Sequence, residues 1–290
     1  MKIVENKNKF FLLSLIIILV GAAFMIYNYV NGNGIFNYDV EFSGGTSIRI
    51  DIGKDFSNED IEKTVSKITG QSSAQIQRVL NKNQVMIKIK STDKKVRDDL
   101  IDELAKNYGF DKKSVAISDI SATISNEMQR SAIIAVVLAC LAILIYISIR
   151  FKNIKTGSCA VIALLHDTII TILSYAVFRI PLNYSFIAVV LTILGYSINA
   201  TIVIFDRMRE NKMFNIKDKA ELVDKSVTQT MRRSLFTSLT TLLSIICLYF
   251  MGVASIKDFS LPIIIGIICG TYSSICIATS LWFVMNKKSA

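Results

Sequence analysis

The chain's single histidine, His166, stands beside Asp167 in the middle of an apolar run. Histidine titrates near neutral pH, so a His–Asp pair in that setting could relay protons. A charged side chain near the centre of a bilayer costs roughly 2.5–3.5 kcal/mol on insertion scales, which makes such residues functional candidates by default. Adjacent helical residues project about 100° apart, however, so the two need not touch. The blander alternative is that each bonds to polar groups on neighbouring helices and holds them together. Two further polar sets lie in apolar surroundings. Tyr196, Ser197, Asn199 and Thr201 surround Ala200, and Arg233, Thr237, Thr240, Thr241 and Ser244 follow helical spacing to form one stripe. Arg233 could pair with a carboxylate inside a helix bundle, which would add it to His166 and Asp167 as an ion-coupling candidate. Alternatively, as it lies where its run begins, it snorkels to the interface. Ser and Thr at this density also serve helix packing, as does the GxxxG from Gly266 to Gly270.

The elements that must position these residues are membrane helices. Of 290 residues, 52% are hydrophobic, and they are bunched into long runs with few charges rather than spread along the chain. Spans are expected at about Phe10–Tyr27, Ser131–Ile149, Gly157–Phe178, Leu182–Phe205, Leu235–Met251 and Phe259–Met285. Each is close to the roughly 20 residues a helix needs to cross the hydrocarbon. The first run follows Lys2, Lys7 and Lys9 and is long for a signal peptide, so it reads as a retained anchor. Basic residues flank alternate ends: the N-terminal lysines; Arg150, Lys152 and Lys155; Arg207, Arg209, Lys212, Lys217, Lys219, Lys225, Arg232 and Arg233; Lys287 and Lys288. The opposite loops carry one basic residue each. The positive-inside rule then puts both termini in the cytoplasm and residues 28–130 outside. The net charge of +10 therefore reads as membrane topology and not as a nucleic-acid surface. Cys140, Cys159, Cys247, Cys269 and Cys276 all fall in apolar runs, where cysteine behaves as a small hydrophobe, so neither a disulfide framework nor a thiolate metal site is expected. Asp206, Arg207, Arg209 and Glu210, just past the fourth span, have the spacing for modest surface pairs along one helix.

The polar segment alternates strand and helix signals. Thr46–Asp51 alternates as a strand; Ser57 caps a helix through about Ile68, with Asp60 near the capping-box position. Gln75–Leu80 and Gln84–Ile89 pair around a turn at Asn81-Lys82-Asn83; a helix over Lys94–Tyr108 and a strand over Ser114–Ile120 follow. The order β-α-β-β-α-β is that of a ferredoxin-like α+β domain. The expected domains are thus 1–30 (N-terminus and first helix), 31–130 (extracytoplasmic α+β domain) and 131–290 (five-helix transmembrane domain, helices 2–6).

Several separated stretches carry a resemblance. Gly195 to Asn211, Val40-Glu41-Phe42-Ser43-Gly44-Gly45-Thr46, Arg150-Phe151, Leu165-His166-Asp167, Thr237 to Thr241 and Gly270-Thr271-Tyr272-Ser273-Ser274 together resemble the SecF family, part of the resistance-nodulation-division superfamily. The lead-in motif Glu41, Gly44 and Gly45 looks like the family's Asp-Phe-x-Gly-Gly, with Glu41 where Asp is usual. Physically, the paired glycines suggest a loop entering a strand and no phosphate site. The resemblance implies an accessory subunit of the Sec translocase, without enzymatic activity or cofactor. Its partners would be SecD, the SecYEG translocon, the translocating polypeptide, YidC and YajC type accessory proteins and the lipid bilayer. In that family an ion-carrying aspartate follows Asn199, and an arginine at the Arg233 position tunes it; here the aspartate is Ala200. Alanine cannot bind a proton. Either SecD carries the essential carboxylate alone, or Asp167 has taken over some titration, or export assistance proceeds without ion coupling. The first is favoured, because Asn199, Thr201 and the Arg233 stripe are in place. The alternative function, a small-molecule exporter of the same superfamily, would need a larger outside region and intact intramembrane carboxylates.

Overall fold

The computed structural model describes residues 2–32, 34–70, 75–79, 83–151, 153–214, 216 and 218–287. The turn residues Asn81 and Lys82, Leu80 before them, and the basic residues Lys152, Lys217 and Lys288 lie outside the described residues. The chain is a multi-pass α-helical membrane protein. Among the described residues six helices are long and apolar enough to span a bilayer: α1 (Lys7–Val30), α5 (Ala122–Phe151), α6 (Ile154–Val177), α7 (Ser185–Met213), α8 (Lys219–Met251) and a composite last rod. That rod runs through α9 (Ala254–Tyr272), a π-helical segment (Ser273–Ala278) and α10 (Thr279–Lys287). Several helices outrun the apolar stretches that predict them. Apolar content marks only the hydrocarbon-crossing part of a helix, and α8 begins sixteen residues before Leu235 because Asp218 caps it, accepting from the backbone N–H groups of Ala220 and Glu221.

Burial separates the helices into a centre and a rim. In α6 and the last rod 61% of the most apolar window is buried, whereas the figure is 11% for α1, α5 and α8. Helix α6 packs against α1, α5, α7 and α9, and small buried residues such as Cys159, Ala160 and Ala163 let its neighbours approach. The bundle core also contains Val190, Leu194 and Phe205 of α7, Val223 and Val227 of α8, and Cys276 and Ala278 of the π segment. Gly266 and Gly270 do what the GxxxG spacing predicts. A Cβ added at Gly266 would lie 2.3 Å from Ile193 Cδ1, and one at Gly270 would lie 2.9 Å from Ser197 Cβ. These glycines bring α9 against α7 at the level of the polar residues described below.

The polar segment between α1 and α5 holds β2 (Gly45–Asp51), α3 (Asn58–Thr69), β3 (Gln75–Val79), β4 (Gln84–Ile89), α4 (Lys94–Tyr108) and β5 (Ala116–Ile120). All sheet pairings are antiparallel and the strand order is β3-β4-β2-β5. Ile48 stands opposite Ile87 and Ile50 opposite Val85, so alternate residues of β2 and β4 line one face. That face covers Ile61 and Val65 of α3 and Leu100 and Leu104 of α4. Since the side-chain period of a strand is two, this pattern fixes the register. Ser57 sits at the N-cap of α3 but its side chain makes no capping bond, whereas Asp93 caps α4 by accepting from Lys95 N–H at 2.9 Å.

The two parts of the chain meet through features the sequence pattern does not announce. A two-residue strand β1 (Asn37–Tyr38) pairs in parallel with β6 (Pro181–Leu182) from the loop between α6 and α7. The lead-in motif forms a one-turn helix, α2 (Val40–Ser43), instead of a plain loop. Gly44 ends it at φ 76°, and Gly45 follows at φ 144°, where a Cβ would lie 2.3 Å from Ile89 O. Only glycine meets both demands without strain. Glu41 accepts a 2.6 Å hydrogen bond from Tyr184 N–H at the start of α7, and Gln129 of α5 donates to Phe42 O at 2.6 Å. Buried Asp39 pairs with Lys88 of β4, and Ser255 of α9 donates to Gln77 of β3 at 2.9 Å. The motif's carboxylate therefore ties the polar segment to the bundle.

Candidate functional site

Asp167 is 1% exposed near the middle of α6, one of the two most enclosed spans, and four donors converge on its carboxylate. Ser197 of α7 and Ser273 of the π segment each donate to Oδ2 at 2.6 Å. Oδ1 receives the Cys269 thiol at 3.4 Å and lies 2.9 Å from His166 Nδ1, the distance of an N–H donor. The adjacent pair thus does touch, although helix geometry alone does not require it. Cys269 and Ser273, four residues apart, share the face of the last rod that looks at α6. The carboxylate consequently joins three elements in one contact.

The cluster extends along α7. Thr201 donates to Ser274 Oγ at 2.8 Å, and Ser274 donates to Ser197 O at 3.1 Å, so α7 and the π segment are zipped together on both sides of Ser197. A π-helical turn is uncommon and concentrates at functional positions. Here it places Ser273 on Asp167 and Ser274 on Thr201 at once, two consecutive residues serving two partners. Tyr272 closes the side towards α1, donating to Phe10 O at 2.8 Å, with its ring 6.5 Å from that of His166. His166 Nε2 and the Tyr196 hydroxyl are among the buried polar atoms that have no hydrogen-bond partner among the described residues.

The other predicted residues do not join this cluster. Asn199 is exposed and Ala200 half-buried, on a different side of α7 from Ser197 and Thr201. Arg233, Thr237 and Thr240 are exposed and Thr241 is half-buried; the threonine hydroxyls donate back to backbone carbonyls of α8 itself, as Thr237 does to Arg233 O at 2.9 Å. The polar residues that α8 turns inward are Ser226, Thr230, Ser234 and Ser238, and Ser238 lies 2.7 Å from the Thr271 hydroxyl of α9. Arg233 therefore makes no pair with Asp167. Asp206 pairs across helices with Arg150 of α5 at 3.0 Å, not along its own helix, while Arg207 takes Glu210 at 2.7 Å.

Sequence reasoning missed Cys269, Ser273 and Ser274 as site residues, and treated Cys269 as a plain apolar filler. The i,i+4 spacing from Cys269, inside the GxxxG, to Ser273, with Ser274 beside it, is the signal that could have found them. His166 Nδ1, Asp167 Oδ1 and Cys269 Sγ lie within 4.8 Å of one another and are of ligand types that bind divalent metals. Each carboxylate oxygen already has two close polar neighbours, however, so the arrangement is that of a saturated hydrogen-bond network. Chemically, such a site can hold a buried carboxylate in place or bind and release a proton on it.

Comparison with known proteins agrees with this architecture throughout. The family model described as "Protein export membrane protein SecD/SecF, C-terminal" matches residues 100–288. The protein translocase subunit SecF of Sebaldella termitidis is 36% identical over 99% of this chain and 92% of its own length. Its counterpart in Thermodesulfovibrio yellowstonii is 33% identical over 96% and 92%. The crystal structure of SecDF from Thermus thermophilus, titled a translocon-associated membrane protein, superposes on the whole chain with a TM-score of 0.80 at 30% identity. The chain spans 39% of that longer SecDF chain. By motif, full-length similarity and fold, the chain belongs to the SecF family of protein translocase subunits.

Proposed function

We propose that this chain is an accessory subunit of the Sec translocase that works with SecD to assist late translocation and release of exported proteins, drawing on the ion gradient. The observation that carries this reading is the end-to-end match to SecF subunits, which leaves no stretch of the chain assigned to another role. The chain sits in the cell membrane with both termini cytoplasmic. Residues 1–30 are the first anchor, 31–130 an extracytoplasmic ferredoxin-like domain and 131–290 the five-helix transmembrane domain. The strand order β3-β4-β2-β5, with both helices on one face, supports the ferredoxin-like assignment.

SecD covers the outward face of α7 and α8. Exposed Asn199, Arg233, Thr237 and Thr240 support this, because polar groups are rare on lipid-facing surfaces and mark contacts with protein or water. With Ala200 unable to titrate, the ion-carrying carboxylate belongs to SecD, and Arg233 faces it across that contact. Within this subunit Asp167 and His166 hold α6, α7 and the last rod together as a rigid half. The outside domain engages the translocating polypeptide, and Glu41, Gly44 and Gly45 fix that domain to the bundle. SecYEG and YidC and YajC type proteins complete the assembly.

The test is affinity capture of the tagged full chain from its native membrane in mild detergent, with partners identified by mass spectrometry. A SecD-like chain together with translocon subunits is the expected result. Recovery of the chain alone, or only with copies of itself, overturns the proposal.

A further inference from the structure

At the basic end of the bundle a cavity of about 110 Å³ opens between the last turn of α5, the start of α6, the end of α7 and α10. It adjoins a second cavity of about 340 Å³ that shares Asn153, Lys212, Leu222 and Trp282 with it. The walls are of two kinds. One is aromatic: Phe151 and Phe205, edge to face at 6.0 Å, with Trp282, the chain's only tryptophan. Trp282 is held by its indole N–H, which donates to Thr156 Oγ1 at 3.1 Å. The other is cationic: Arg209 and Lys212, three residues apart on α7, with Lys219 at the far side.

The neighbouring cations have anionic or polar partners. Arg150 pairs with Asp206, Arg207 with Glu210 and Gln229, and Lys219 donates to Asn286 O at 2.8 Å. Arg209 and Lys212 have no acidic partner among the described residues. Two unpaired cations above an aromatic, partly enclosed cleft call for a ligand that is anionic at one end and apolar at the other. In a membrane protein, at the level where basic residues and tryptophan gather, that ligand is a lipid of the adjacent leaflet.

We propose that this cleft binds the phosphate-bearing headgroup of an anionic phospholipid, with Arg209 and Lys212 on the phosphate and Phe151, Phe205 and Trp282 against the glycerol and upper acyl region. The site is separate from the export reading and stands or falls on its own. The larger cavity is at the lower end of the size range of small-molecule sites, and two cations suit a compact headgroup. Asn153 caps the N-terminus of α6 beside the cleft, its side chain accepting from Lys155 N–H at 2.9 Å.

Native mass spectrometry of the delipidated full chain in mild detergent tests this, with phosphatidylglycerol, phosphatidylcholine or inorganic phosphate added. Wild type should retain phosphatidylglycerol over phosphatidylcholine. The Arg209→Gln/Lys212→Gln double variant should lose that retention by at least about tenfold, and Lys225→Gln, on exposed α8 surface outside the cleft, should not. A circular-dichroism spectrum and melting midpoint matched to wild type establish that the double variant is folded. If it is not, Arg209→Lys and Lys212→Arg, which keep the charge, are compared with the single Gln variants. Equal retention of both lipids, or a folded Gln variant that binds phosphatidylglycerol as wild type does, overturns the proposal. Displacement of the lipid by millimolar phosphate would assign the cleft to a free anion and overturn the lipid assignment.

Discussion

Replacing Asp167 by Asn asks what the buried carboxylate does. Both side chains have the same shape, so packing is preserved and the difference is electrical. Ser197 and Ser273 donate to one oxygen, and Cys269 and His166 approach the other. A hydrogen bond to a charged group is worth about 1.5–3 kcal/mol net, against about 0.5–1.5 for a neutral one. The amide weakens all four contacts and turns an N–H pair towards two of the donors. The serine hydroxyls can rotate to accept from it, which limits the loss. The net destabilisation is then about 2–4 kcal/mol, a fall in melting midpoint on the order of 5–10 °C for a chain of this size. Thermal unfolding of the full chain in mild detergent, followed by circular dichroism, reads this directly. Ser197→Ala and Ser273→Ala should each give a smaller fall, about 1–2 kcal/mol. An Asp167→Asn variant that melts within about 1 kcal/mol of wild type refutes the reasoning, because the four contacts would then not depend on the carboxylate. If export also falls in that stable variant, Asp167 is a titrating group and not a clasp.

Three further outcomes follow from the geometry. Gly266→Ala gains about 1 kcal/mol of helix propensity but drives a methyl into Ile193, and overpacking of about 1–3 kcal/mol should dominate and lower the melting midpoint. Lys88→Met leaves the carboxylate of Asp39, 1% exposed, without its cation; a loss of about 3–5 kcal/mol is expected, largely recovered in a Lys88→Met/Asp39→Asn double variant. Arg78 beside Asp55 holds that carboxyl below the ordinary carboxylate range, through its hydrogen bond first and its charge second. A depressed folded value means that the pair contributes stability above the unfolded value near 3.9 and loses it as pH falls through the folded one. The small melting difference between wild type and Asp55→Asn should therefore be steady at neutral pH, begin to shrink as pH falls below about 4, and vanish only below the folded value; a difference that does not shrink in that range would contradict it.

The soluble part of the fold was more legible than the site, for a physical reason. In β2 and β4 the alternation of Ile48, Ile50, Val85 and Ile87 with polar residues distinguishes core from water, and the strands follow it. Asp93 and Gly109 bracket α4 by capping chemistry, and its bounds are those expected from the sequence. The junction was not legible: β1 and β6 are two residues each, too short for any period, and they meet across more than 140 positions. Glu41 was legible as part of a motif but not as the acceptor for Tyr184, because its partner lies in a distant loop.

Within the bilayer the same logic loses its contrast. A soluble helix shows its inner face by being apolar there, but a membrane helix is apolar towards lipid and towards its neighbours alike. Polar spacing then reveals that a stripe exists without saying which way it looks. On α7 the polar positions split, with Ser197 and Thr201 inward and Asn199 outward, although all three lie within five residues. On α8 the stripe through Arg233 and Thr237 looks outward, while a second one, Ser226, Thr230, Ser234 and Ser238, looks inward. The residues that do resolve inside from outside are the small ones. Gly266 and Gly270 admit Ile193 and Ser197 at distances no larger side chain would allow, so they define the inner seam of α9 from composition alone. Counting four residues on from Cys269 along that seam reaches Ser273, and both contact Asp167. In this chain the glycines are therefore better guides to the buried polar site than the polar residues themselves.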